Sequence, residues 1–212
     1  MKNQLFLLPL TFVLCASLAV PSVFSQETTL TPNNPLKVDT KERSISILAE
    51  VNGKHPVPTH HGVVFKGGKL HYKAIFIGLV DPKTFHESLV SIGLKPGNNM
   101  TMANMEKTFV EGDLLDVSVT WKGAKRAYRI DEVIKDSNGK PLVIRFGGNL
   151  TNALKKKTGC LLCLDSCPVG ITSNSTYTYG AIDKRKEVVF TANKELLPPD
   201  RTLVVITFKA KK

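Results

Sequence analysis

Cys160, Cys163 and Cys167 place three of the chain's four cysteines within eight residues, in the spacing C-x2-C-x3-C-P that ends at Pro168. Three thiols this close cannot all pair with one another, because a disulfide consumes two and leaves one. A C-x2-C turn can aim two sulfurs at a common centre, so the run could bind a single metal ion or an iron–sulfur cluster. Two other chemistries use the same residues. One is a disulfide with a leftover buried thiol. The other is thiol exchange, in which Cys160 and Cys163 react and Cys167 resolves.

The bacterial ferredoxin run is C-x2-C-x2-C-x3-C-P. This chain has its last three cysteines and its proline, with Lys157 where the first cysteine would stand. Lys155, Lys156 and Lys157 directly precede the triad, and Lys184, Arg185 and Lys186 follow it. Cations beside thiols favour the thiolate, the form that attacks disulfides and binds metals. Lysine runs also serve as solvated faces.

A fourth ligand would come from the histidines, which lie between His55 and His86, well before the cysteines. Three sulfurs with one imidazole nitrogen is a common zinc composition. His61, ahead of an apolar run, is the preferred candidate; His86, beside Glu87, reads as structural. No C-x-x-C-H, phosphate-cradling glycine loop or H-E-x-x-H occurs.

The elements that must position these residues begin after a leader. Met1 to Ser25 has a basic start at Lys2, an apolar stretch from Leu5 to Val20 and a short-residue end at Val23-Phe24-Ser25, so it reads as an export signal cleaved after Ser25. Cys15 leaves with it. No twin-arginine pair is present, so the chain would cross unfolded and reach the periplasm or exterior, where thiols tend to pair. About 187 residues remain, and the formal charge falls from +11 to +10 because Lys2 is the leader's only charged residue. Such a balance favours an anionic partner in the envelope or an anionic membrane surface. Nucleic acid is excluded for an exported chain without a basic-aromatic recognition motif.

Residues Gln26 to Pro35 read as a flexible lead-in, and strands dominate from Leu36 onward. Ser44–Val51 alternates Ile45, Ile47, Ala49 and Val51 on one face. Gly62–Lys66 and Tyr72–Val80 are strand-like runs around a hairpin-like Gly67-Gly68 turn. Asp81-Pro82 opens the one clear helix, with Phe85, Leu89 and Ile92 on one face and Gly93 closing it. Further strands are expected at Lys107–Glu111, Leu115–Trp121, Arg126–Ile130, Leu142–Phe146, Ser175–Tyr179, Val188–Phe190 and Leu203–Lys209, and a short helix at Thr151–Lys156. The reading is a single α+β domain over residues 36–212, strand-rich, with a cysteine-bearing loop at 158–171.

The block from Thr158 to Ile171, with Ser173-Asn174 and Thr176 to Ala181, resembles the YdjY family of exported bacterial proteins. So do His61-Gly62, Val64-Phe65-Lys66, Pro96-Gly97, Asn99 to Met102 and Phe146 to Thr151. The similarity spans nearly the whole chain after the leader. It implies a ferredoxin-like protein, a description that rests on the same three-cysteine run. More weakly, Ser173-Asn174-Ser175-Thr176-Tyr177-Thr178 is similar to the S-G-A-T-x-T signature of exported domains that carry flavin mononucleotide covalently. That resemblance implies attachment at Thr178, although Asn174 and Ser175 replace the signature's Gly and Ala.

The resulting expectation is an exported redox or metal-centre protein transferring electrons through Cys160, Cys163, Cys167 and His61 to an unidentified redox partner. The alternatives are an envelope binding module stapled by a disulfide, a thiol oxidoreductase, and a flavin carrier.

Overall fold

The computed structural model describes residues 30–53 and 59–211. The expected export signal and His55 lie outside the described residues. Among the described residues, no helix is long and apolar enough to cross a membrane.

The alternating segment Ser44–Val51 forms a strand as expected, β2, after the short β1 (Leu36–Asp39). Ile45, Ile47, Ala49 and Val51 are all buried. Then come β3 (His61–Phe65), a 3-10 turn at His71–Lys73, β4 (Phe76–Gly78) and α1 (Pro82–Ser91). The middle of the chain supplies β5 (Leu114–Trp121), β6 (Tyr128–Arg129), α2 (Ile130–Val133), β7 (Ile134–Asp136), β8 (Ile144–Arg145) and α3 (Leu150–Lys156). The remainder supplies β9 (Cys160–Cys163), β10 (Thr172–Asn174), β11 (Phe190–Ala192) and β12 (Leu203–Ala210).

These strands close on themselves. Neighbours run β2, β12, β5, β8, β10, β9, β3, β4, and β4 returns to pair with β2. β2 divides one edge between two partners: residues 44–47 face β1, and Ala49 to Val51 face β4. Within the ring β3–β4 and β9–β10 are parallel and the other pairs antiparallel. The expected α+β class is therefore corrected: the domain is a closed eight-stranded mixed barrel with three short helices. Closure satisfies the backbone groups that open sheet edges would expose. The helices are too short and scattered to form a second layer. β7 and β11 pair separately as a two-stranded sheet.

Alternating residues fill the barrel. Val204, Ile206 and Phe208 of β12 and Leu115, Val117 and Val119 of β5 join β2's apolar face in one core. The helix after Asp81 is the element the sequence specifies best. Asp81 accepts from the Lys83 and Thr84 amides at 2.9 and 3.0 Å, and Pro82 sits at the first helical position. Its buried Phe85 meets Phe208 edge to face, with ring centroids 4.9 Å apart.

Two local expectations are also corrected. Gly67-Gly68 does not turn a hairpin, because β3 and β4 are parallel and residues 66–75 cross between them. Gly68 instead permits a close backbone approach: a Cβ there would lie 2.5 Å from the Thr158 carbonyl and 2.6 Å from Gly159 Cα. The strand expected at Ser175–Tyr179 is irregular, and pairing occurs earlier at β10. There, the buried Asn174 Oδ1 accepts from the Val143 and Thr176 amides and ends the strand in a side-chain-mediated turn.

Candidate functional site

Cys160 and Cys163 are on strand β9 rather than on the expected loop; only Cys167 belongs to the loop that follows. Residues i and i+3 of a regular strand face opposite sides. Here the pairing with β3 slips twice: His61 lies opposite Cys163, Val63 opposite Leu162 and Val64 opposite Cys160. Gly62 and Leu161 are the extra residues of two bulges, which re-aim the flanking side chains. Leu161, Leu162 and Leu164 enter the main core, while Cys160, Cys163 and Cys167 form a second cluster with Val64 and Ala74. Val169 and Tyr179 pack over it.

The loop beyond β9 is fastened from α3. Asn149, just before the helix, donates to the Cys167 and Gly170 carbonyls at 3.2 and 3.3 Å, and Asn152 donates to Pro168 O at 3.1 Å. Gly170 fits because it has no side chain; a Cβ would sit 2.8 Å from Cys163 Sγ. Asn174 Nδ2 donates to Leu164 O at 3.1 Å, tying the other side.

All three thiols are free, at 0, 0 and 4% exposure for Cys160, Cys163 and Cys167. Cys163 is the middle of the run and interacts with both other thiols. Its interaction with Cys160 is the main reason the Cys160 thiol is held well below the ordinary range, against the opposing effect of burial. His61 acts in the same direction. Cys163 is pushed well above the ordinary range by its interactions with Cys160 and Cys167 and by its full burial. The leading influences on Cys160 come from within the cluster, whereas Lys155, Lys156 and Lys157 are exposed.

His61, expected as a fourth metal ligand, lies beside the thiols. It is 3% exposed, with Nδ1 3.5 Å from Cys160 Sγ. The neighbouring His60 is held down to about 4, chiefly by burial and then by His61, so at neutral pH it is an uncharged imidazole hydrogen-bonded to Asp183 at 3.0 Å. His71 Nδ1 bonds Gly68 O, and the His86 ring packs 5.1 Å from Phe146; neither reaches the thiols.

Sequence reasoning passed over Asp165, which sits inside the cysteine run and is 3% exposed. Its Oδ2 accepts from the Gly180 amide at 3.2 Å, while Oδ1 has no partner. Burial raises its carboxyl to about 7, helped by the negative charges of Asp183 and Cys160. Its place between two cysteines was the available signal. Among the described residues, the buried side-chain polar atoms without a hydrogen bond are His61 Nε2, Thr158 Oγ1, Asp165 Oδ1 and Ser173 Oγ. All four belong to residues around the thiols.

Among the described residues, no three His, Cys, Asp or Glu side chains are arranged to hold a metal ion. The metal and cluster readings therefore gain no support from side-chain placement. Thr178, expected to carry flavin, is half-buried with Oγ1 accepting from Arg185 at 2.8 Å. It is absent from the thiol cluster and lines a surface cleft of about 580 Å³.

The sequence matches the model of the YdjY domain over residues 36–209. It is 55% identical over 181 residues to an Escherichia coli (strain K12) protein named "Uncharacterized protein YdjY", spanning 85% of this chain and 80% of that one. No solved structure shows significant similarity to it. The match covers the barrel from β1 through β12, thiols included, and the chain belongs to the YdjY domain family.

Proposed function

We propose that this protein is an exported thiol redox protein that exchanges disulfides through Cys160, Cys163 and Cys167. The observation that carries the reading is the cluster of three free, buried thiols with His61 Nδ1 3.5 Å from Cys160 Sγ. A stapling disulfide would need no such unpaired run, and all three thiols are free.

The oxidant is a disulfide on a partner protein. Cys167 releases its proton to water and its thiolate attacks one partner sulfur; a Cys167–partner disulfide forms, the partner S–S bond breaks, and the first leaving sulfur departs as a thiolate. That departed thiolate takes the Cys163 proton, and Cys163 attacks Cys167 Sγ. The Cys163–Cys167 bond forms and the second partner sulfur leaves as thiolate. The partner gains two electrons and the cysteines lose two. Cys160 keeps its sulfur throughout and packs within the same cluster as Cys163 while the new bond forms.

Differential alkylation and mass spectrometry of envelope-purified protein, across a series of thiol–disulfide buffers, tests this. A reversible Cys163–Cys167 disulfide is expected, lost in Cys167→Ser. Stoichiometric bound metal, or thiols that never oxidise in any buffer, would overturn it.

A further inference from the structure

The surface cleft that contains Thr178 has no part in the scheme above, yet both its walls grip the thiol loop. Ser166, the residue before Cys167, donates its amide to Tyr177 O at 2.9 Å, and its hydroxyl accepts from the Val110 amide at 3.0 Å. Tyr177 and Phe109, next to Val110, line the cleft. Whatever lies there touches the segments that hold Cys167 in place.

The cleft's chemistry favours one kind of occupant. Its two acids are already paired, Glu106 with Lys184 and Glu187 with Arg185. Lys107 and Lys140 make no ion pair among the described residues, and Lys140 Nζ stands 5.0 Å from the Tyr177 ring centroid. Phe109 exposes 53% of its surface, an apolar platform beside these cations. Both lysines lie at the exposed rim, so the cleft suits an extended chain presenting several carboxylates better than a small enclosed anion. The strongly basic balance of the whole chain points the same way.

We infer that this cleft binds an extended acidic segment of the partner protein, setting its disulfide against Cys167. The inference rests on the thiol exchange reading for its consequence, but binding itself is measurable without any thiol chemistry.

Two fluorescent cysteine-free peptides, one rich in glutamate and phenylalanine and one with lysine in place of glutamate, are titrated into the full reduced chain at low salt and followed by anisotropy. The acidic peptide should bind at least about tenfold more tightly, with the gap closing as salt is raised. Lys107→Glu with Lys140→Glu should abolish or reverse the preference, and Phe109→Ala should weaken the acidic peptide several-fold. Equal affinities for both peptides, or a preference unmoved by the double charge reversal, would overturn the inference. Reaction of the unmodified protein with neutral dithiodipyridine is scored separately. Unreactive thiols alongside normal acidic-peptide binding would sink the exchange scheme and leave the cleft assignment standing. Reactive thiols without charge preference would do the opposite.

Discussion

His61 Nδ1 lies 3.5 Å from Cys160 Sγ across 99 positions of sequence, on the strand that pairs antiparallel with the thiol strand. The contact depends on Gly62 being an extra residue in β3, because regular alternation would send His61 to the face of Val63, into the main core.

His61→Ala should therefore raise the pH at which Cys160 ionises, removing an interaction that favours its thiolate. Thiolate absorbance near 240 nm, followed through a pH titration, is the readout. Cys160→Ser should remove the low-pH part of the signal, and a midpoint unchanged in His61→Ala would separate the histidine from the thiol.

Asp165 gives a pH dependence of defined sign. Its folded value, about 7, is above the unfolded one, so the fold binds the proton more tightly. That stability is complete below about 4 and is lost as pH rises through about 7, by roughly 4 kcal/mol. His60, lowered to about 4, has the opposite slope between about 4 and 6.5. Urea unfolding of Asp165→Asn beside the native protein isolates the carboxyl: the variant should gain relative stability from pH 4 to 7 and then level off. A constant difference across that range would refute the assignment.

Gly170→Ala should destabilise the barrel by roughly 1–3 kcal/mol. Its Cβ would lie 2.7 Å from Ser173 Oγ and 2.8 Å from Cys163 Sγ. Faster alkylation of Cys163 in the variant, measured by mass spectrometry, would show that the crowding loosens the thiol cluster first.

Asn174→Ala should be among the more damaging polar substitutions, at roughly 2–4 kcal/mol. The side chain is fully buried and serves the Val143 and Thr176 amides and the Leu164 carbonyl at once. Thermal unfolding checks the loss; a melting temperature within a degree or two of native would mean that neighbouring groups replace those bonds.

What the sequence determined by itself was local. The period-2 alternation of Ser44–Val51 and the Asp81-Pro82 start of α1 depend on contacts within a few residues, and both stand in the structure. The C-x2-C-x3-C run and the choice of His61 were legible from residue type and spacing. Only the tertiary structure decided that the strands close into a barrel, because β2 must meet both β4 and β12, and no local pattern encodes the long-range partner. It also decided that residues three apart on a strand share a face, since the two bulges arise from the register between β3 and β9. The lowered pKa of Cys160 belongs to the same level. Burial alone would have raised it, and the interactions with Cys163 and His61 outweigh that.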